Sequence, residues 1–275
     1  MKQRASYKIA LVQMDSQDNE IQNMEKAASF VRQAANQGAE LIIFPETVDY
    51  IGKGLKYHAK PVPGEWDAFF SGQAKKYGVY IHGGSITEQN KTGNPWNTSL
   101  MFAPDGGCIA RYRKVHMFDV EVAGGPSYRE SHHISAGSEV VLADTELGKM
   151  GLAICYDLRF PELFRIQSMQ GAELLILAAN FTHATGEKHW KPLLQARAIE
   201  NTCYVLACDQ CGRKPAFTAH GHSMIIDPMG EVIVEGGMEE CCLIDEIDPD
   251  RVVRAREQIP SLKNIRRDVY QLSFR

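Results

Sequence analysis

Gly151-Leu-Ala-Ile-Cys-Tyr-Asp-Leu-Arg-Phe-Pro-Glu162 is the stretch on which the reading of this chain turns. Small and apolar residues run straight into a lone thiol, and a polar Tyr-Asp pair follows. Phe160-Pro161-Glu162 then signals a helix start, because proline is tolerated in a first helical turn. The pattern predicts a buried strand that stops abruptly at Cys155. A thiol held by a rigid element beside the free N–H groups of a helix start is placed to act as a nucleophile. The same pattern also suits an inert core thiol, since free cysteine is among the most buried residue types. The rest of the chain decides between the two.

Two other segments share this grammar. Leu41-Ile-Ile-Phe-Pro-Glu46 is an apolar run that ends in a carboxylate. Arg111-Tyr-Arg-Lys114-Val-His-Met-Phe-Asp119 closes a strand-like run with a lysine. A glutamate, a lysine and a cysteine, each just past a strand, can meet at one sheet edge. Together they supply a base, a fixed cation and a nucleophile, the parts needed for acyl transfer through a thioester.

Bulk properties set bounds. The 275 residues could form one large domain or two small ones. One domain of that size buries roughly 75% of its unfolded surface, so a full core is available. The net charge of −4 and the isoelectric point near 6.1 give no electrostatic case for nucleic acid or an anionic membrane. Ile9-Ala-Leu-Val12 is too short for a secretory core, and no apolar stretch is long enough to span a bilayer. Seven cysteines without framework spacing suit a reducing cytosol, so a cytoplasmic protein is expected. Cys208-Asp-Gln-Cys211 resembles a zinc half-site or a redox motif, but Cys241-Cys242 is poorly spaced as a second pair. His132, His133, His189, His220 and His222 share no ligand spacing with carboxylates. No metal or other cofactor is expected.

No linker or repeat divides the chain, so residues 1–275 read as one domain, with 248–275 a C-terminal helix and tail. Periodicity predicts strands over 8–14, 40–44, 79–85, 98–102, 108–112, 140–143, 151–154, 173–178, 204–208, 222–226, 232–235 and 242–246. It predicts helices over 20–37, 64–77, 161–170, 187–201 and 249–258, the last capped by Asp248. Pro104-Asp-Gly-Gly107 predicts a hairpin turn. Strands alternating with helices, plus hairpins, indicate a mixed α/β layered fold.

Taken together, Phe44-Pro-Glu46, Arg113-Lys114-Val-His116, Ala153-Ile-Cys-Tyr-Asp157 and Arg159-Phe-Pro-Glu162 resemble the motifs of the nitrilase, or carbon–nitrogen hydrolase, superfamily. The resemblance runs from Ile9 to about Tyr270. Cys-Tyr-Asp is similar to the amidase branches, whereas true nitrilases more often carry Trp-Glu after the cysteine. Thr185-Gly-Glu-Lys-His-Trp190, Gln195-Ala-Arg-Ala-Ile-Glu-Asn201, Gly221-His-Ser-Met224 and the tail from Gln258 to Tyr270 resemble the ω-amidase and deaminated-glutathione amidase branch. Gln210-Cys-Gly212 resembles the deaminated-glutathione side in particular.

The resemblance implies a four-layer α-β-β-α sandwich of mixed sheets, dimerised through the helices after Cys155 and around Trp190–Asn201. It implies Glu46 as general base, Lys114 as cation and Cys155 as nucleophile, with the Tyr156 N–H on the oxyanion. Glu130 matches the auxiliary glutamate, with Glu121 as the alternative. Arg159 matches a residue that contacts a substrate carboxylate, unless it pairs internally with Glu162 or Asp157, and Thr185 matches a further substrate contact. The implied reaction is hydrolysis of a small linear carboxylate-bearing amide, such as 2-oxoglutaramate or deaminated glutathione. N-carbamoyl amino acids or other aliphatic amides, nitriles, and a non-catalytic binding role are the alternatives. Two stretches depart from the family pattern. Ala178-Ala-Asn-Phe-Thr-His183 replaces the usual Tyr-Pro-Ser-or-Gly-Ala-Phe run, and the loop Gly124-Gly-Pro126 is unusual.

Overall fold

Side chains of a strand alternate between faces. Along the first strand this sends Ile9 and Leu11 into one apolar cluster and Ala10 and Val12 into another. A strand buried on both faces belongs in the middle of a layered structure. The computed structural model, which describes residues 4–121 and 127–273, shows those layers. Its chain runs β1 (Tyr7–Gln13), α1 (Glu20–Asn36), β2 (Ala39–Ile43), α2 (Leu55–His58), α3 (Glu65–Tyr77), β3 (Tyr80–His82), β4 (Ile86–Glu88), β5 (Trp96–Phe102) and β6 (Cys108–Arg113). It continues through β7 (Asp119–Glu121), β8 (Ser127–Arg129), β9 (Leu142–Thr145), β10 (Gly148–Ile154), α4 (Pro161–Met169), β11 (Leu174–Ala179) and α5 (His183–Asn201). β12 (Tyr204–Asp209), β13 (Met224–Ile226), β14 (Val232–Glu235), β15 (Cys241–Ile247) and α6 (Asp250–Gln258) complete it.

Among the described residues, one sheet has the order β15-β1-β2-β3-β5-β4 with β6 on β5, and a second has the order β14-β13-β12-β11-β10-β9. Ile9, Leu11, Leu41 and Ile43 of the first sheet share a core with Leu152, Leu175 and Leu177 of the second. On the outer face of the first sheet, Ile42 and Phe44 pack against Ala27, Val31, Trp66 and Phe70 of α1 and α3. Phe164, Trp190 and Leu194 of α4 and α5 join the core of the second sheet. The result is a four-layer α-β-β-α sandwich of mixed sheets.

The helices follow their apolar spacing. In α1 the buried residues are Asn23, Ala27, Val31 and Ala34, and Asn19 caps the start by accepting the Gln22 N–H. Gly38, at φ 85°, ends the turn in the left-handed region that glycine enters without cost.

Several boundaries differ from the sequence expectation. Residues 79–85 do not form one strand: β3 stops at His82 and β4 begins at Ile86. Between them Gly84 has φ 64°, and a Cβ there would lie 2.0 Å from the Pro45 carbonyl oxygen, so the chain must break step at that glycine. α5 starts at His183, four residues before the expected Glu187, and Pro192 lies inside it. The strand expected from His222 starts at Met224, because His222 has φ 51°. His220 and His222 therefore belong to the approach loop, not the sheet. The β7–β8 ribbon had no sequence signal, and the Gly124–Pro126 loop lies outside the described residues.

Candidate active site

The parallel strands β10, β11 and β12 end side by side, with Ile154 opposite Ala178 and Ala179 opposite Asp209. Cys155 follows the first of these ends, Asn180 the second, and Asp209 closes the third. β2 of the facing sheet delivers Glu46 to the same edge, where the Glu46 N–H donates to the Ala179 carbonyl at 3.2 Å. β6 delivers Lys114, whose N–H donates to the Asn97 carbonyl at 2.9 Å.

Lys114 is 2% exposed and is gripped from both sides. Its Nζ lies 3.0 Å from Glu46 Oε1 and 3.0 Å from both Glu130 oxygens. Burial alone would lower its pKa, but Glu130 and Glu46 outweigh burial and hold the ammonium well above the ordinary lysine range. Glu130 is itself pushed up, by burial first and by the nearby Glu46 charge, against the pull of Lys114. Glu121, the alternative auxiliary glutamate, is exposed and pairs with Arg129, so it is not at the site.

Every oxygen of Glu46 is assigned. Oε1 accepts from Asn97 Nδ2 at 2.8 Å and from Lys114, and Oε2 accepts from the Asn180 N–H at 2.8 Å. Its carbonyl accepts from Gln210 Nε2 at 2.9 Å. A carboxylate held by three donors, on a residue whose backbone carbonyl is held as well, does not swing away from its neighbours.

Cys155 sits where β10 turns into a single 3₁₀ turn over Cys155–Arg159. Its φ is 47°, a left-handed backbone that for a non-glycine residue costs on the order of 1–3 kcal/mol. The surroundings hold it there. Asp157 is fully buried and accepts four hydrogen bonds. Its Oδ2 takes the Tyr112 hydroxyl at 2.7 Å and the Ile154 N–H at 2.8 Å. Its Oδ1 takes the His116 N–H at 3.1 Å and His116 Nδ1 at 2.7 Å. Arg197 donates to the Leu158 carbonyl through Nε at 3.1 Å and Nη2 at 2.7 Å. Burial pushes the Cys155 thiol well above the usual cysteine range, and Glu46 pushes it the same way; Lys114 and the Asn180 N–H pull it back. With two carboxylates and one ammonium already in place, a resting thiolate would add a second uncompensated negative charge. Burial and the Glu46 charge therefore favour the neutral thiol.

The remaining expected residues are placed less uniformly. The first N–H groups of a helical turn have no partner within it, which leaves the Tyr156 N–H available beside the thiol. The Tyr156 ring stands edge-on to Phe118 at 5.1 Å and to Phe160 at 5.4 Å. Arg159 does not pair with Asp157 or Glu162, and among the described residues no carboxylate lies within 4.0 Å of it. Its guanidinium lies over the rings of Phe181, at 5.3 Å, and Tyr156, at 5.8 Å, with Nη1 3.3 Å from His189 Nδ1. Thr185 is in the first turn of α5, with Oγ1 2.8 Å from Thr182 Oγ1, and no hydrogen bond joins it to Glu46, Lys114 or Cys155.

Sequence reading missed Asn97, Asn180 and the positioning role of Asp157. Asp157 and His116 lay inside the quoted motifs, and two polar residues flanking a buried thiol were the available signal. Asn97 and Asn180 sit at strand ends with no pattern around them. Cys208 of the Cys208–Cys211 motif is buried between the sheets, its thiol donating to the Val12 and Ile43 carbonyls at 3.1 and 3.3 Å. Among the described residues no group of three His, Cys, Asp or Glu side chains could hold a metal ion.

Known proteins resemble this chain over nearly its whole length. The family model for carbon–nitrogen hydrolases matches residues 8–257. The chain is 36% identical over 273 residues to omega-amidase NIT2 of Homo sapiens, covering 98% of this chain and 99% of that one. It is 41% identical over 265 residues to deaminated glutathione amidase of Synechocystis sp., covering 94% and 97%. The fold superposes on the crystal structure of the C. elegans NitFhit protein with a TM-score of 0.93 at 35% identity, covering 99% of this chain and 68% of that one.

Proposed function

The chain belongs to the carbon–nitrogen hydrolase family and hydrolyses carbon–nitrogen bonds in non-peptide amides, and on that premise we propose that it works through a thioester on Cys155, with Glu46 as base and Lys114 as cation. The observation that carries this is the buried Lys114 ammonium, fixed at 3.0 Å between Glu46 and Glu130 beside a thiol at a strand end.

As the sulfur adds to the amide carbon, Glu46 takes the thiol proton, so negative charge never rests on an unattacking sulfur. The charge moves to the former carbonyl oxygen, where Lys114 and the Tyr156 N–H stabilise it; removing one such donor from an acyl-transfer site typically costs about 2.7–4 kcal/mol. The C–N bond then breaks, and Glu46 hands its proton to the departing nitrogen, which leaves as ammonia. A water enters, gives a proton to Glu46 and attacks the thioester. Collapse releases the acid, and the proton returns to sulfur. Glu130 acts through Lys114: it keeps the ammonium charged and pointed at the oxyanion.

The substrate is a small linear amide that carries a carboxylate. Arg159, without an acidic partner among the described residues and presenting a planar fork, is the group to grip that carboxylate, with Thr185, one turn before His189 on α5, as a further contact. Amides of 2-oxo acids fit this reading, as does the similarity to an omega-amidase and to a deaminated glutathione amidase. The protein acts as a homodimer, with α4 and α5 in the interface. Ile199 on α5 and the nearby Met229 are 52% and 47% exposed, apolar surface that such an interface would cover. Seven free thiols suit a cytoplasmic setting.

The test is ammonia release from 2-oxoglutaramate, deaminated glutathione, N-carbamoyl amino acids and simple nitriles, each with Cys155→Ala as control. Turnover of an oxo-acid amide that the control lacks is the expected result. Preference for N-carbamoyl substrates or nitriles would overturn the substrate assignment.

A further inference from the structure

Asn180 lies in the run Ala178–His183, where the sequence departs from its family pattern. Its backbone N–H holds Glu46 Oε2 at 2.8 Å. It is two residues past Ala178, which pairs with Ile154, the residue before Cys155. The chain around it is pinned: the next N–H, that of Phe181, donates to Asp209 Oδ1 at 2.8 Å. Its side chain is another matter. Asn180 Oδ1 is buried and has no hydrogen-bond partner among the described residues, and Nδ2 makes no bond either. Asn97, whose carboxamide does touch Glu46, uses its Nδ2 to hold that glutamate and is only 5% exposed. Asn180 is the more open of the two.

A buried polar atom without a partner costs free energy in the folded state, and each instance calls for an explanation. Active sites supply one: the missing partner is the substrate. The unpaired atom here is an acceptor, on the residue whose backbone N–H holds the carboxylate that must protonate the leaving nitrogen. The part of an amide that passes that point is its nitrogen, with two N–H donors in a primary amide.

We propose that Asn180 Oδ1 accepts a hydrogen bond from the scissile amide N–H and so selects amides over esters. The contact turns the nitrogen so that, once the tetrahedral adduct forms, its lone pair faces the proton on Glu46. An ester oxygen has no hydrogen to give and leaves Asn180 unpaired. The inference rests on the thioester reading above.

The test compares wild type, Asn180→Ala and Asn180→Leu on one primary amide and on its methyl ester, together with a melting curve. Leucine fills the volume without a polar atom and guards against a cavity effect. The expected loss in kcat/KM on the amide is about ten- to a hundredfold, the range for a lost polar recognition contact, with a far smaller loss on the ester. The melting temperature should hold or rise, because an unpaired polar group has been removed. Equal losses on both substrates, or no loss on the amide, would overturn the proposal. A wild-type protein inert on every amide would overturn the thioester reading instead.

Discussion

Asp157→Asn is the substitution that most sharply separates a positioned nucleophile from one that is merely buried. The side chain keeps its size and loses its charge. Four donors converge on the carboxylate: the Tyr112 hydroxyl and Ile154 N–H on one oxygen, and the His116 N–H and Nδ1 on the other. An asparagine has one oxygen for these four. If its NH₂ replaces Oδ2, the Tyr112 hydroxyl can turn and accept, but the Ile154 N–H cannot. If it replaces Oδ1, His116 Nδ1 can change tautomer, but the His116 N–H cannot. Either way one backbone donor is orphaned, at about 1–3 kcal/mol, and the remaining bonds lose charge assistance. Relief from burying a carboxylate offsets part of this, leaving a net cost of roughly 2–4 kcal/mol. For a domain of this size that lowers the melting temperature by roughly 4–12 °C. The Ile154 N–H anchors the residue before Cys155, so the nucleophile loses register as well; kcat should fall on the order of a hundredfold, with KM little changed. The assays are a thermal melt and steady-state ammonia release. A melting temperature within about 2 °C of wild type together with kcat within about threefold would refute the idea that Asp157 sets the geometry of the thiol.

Arg159→Lys should lower kcat/KM about ten- to a hundredfold for carboxylate-bearing amides, because lysine keeps the charge but loses the two-point grip. Neutral amides and the melting temperature should be nearly unaffected, since Arg159 has no carboxylate partner among the described residues; equal losses on both substrate classes would remove it from the binding site. The Lys114 cluster sets an alkaline limit. The folded lysine has its pKa raised above the unfolded value, so its stabilisation is fully present below about pH 10.4 and is lost above it at about 1.4 kcal/mol per pH unit as the folded value is approached. Lys114→Met should therefore destabilise most from neutral pH to about pH 10, with the gap to wild type narrowing above that. A gap that stays constant through pH 11 would contradict the buried ion cluster.

The layers of this fold were legible because both periodicities are strong. Ile9–Val12 and Leu41–Phe44 are apolar on both faces, as central strands must be, and the buried residues of α1 recur at three and four. Glu46, Lys114 and Cys155 were legible because each follows a strand-like run, apolar before Glu46 and Cys155, and strand ends are where a layered sheet gathers polar groups. Glu130 could be ranked above Glu121 only by resemblance; the structure separates them by burial, which one sequence does not display. The break at Gly84 was hidden because it depends on the Pro45 carbonyl, distant in sequence. The same holds for Asn97 and Asn180. A lone asparagine carries no periodicity, and its meaning comes from the glutamate that the fold sets beside it. Arg159 had two readings in the sequence; the internal pair with Asp157 is not formed, because Tyr112, Ile154 and His116 occupy that carboxylate.

The central claim is that Cys155 carries the acyl group. It is tested most directly by quenching wild-type protein during turnover of its best amide substrate and measuring the mass of the intact chain and of the peptide containing Cys155. The expected result is one acyl group on that peptide, absent from a folded Cys155→Ala protein whose ammonia release has fallen by about a thousandfold or more. A folded Cys155→Ala protein that turns over within about tenfold of wild type, or an acyl group on any other residue, would contradict it.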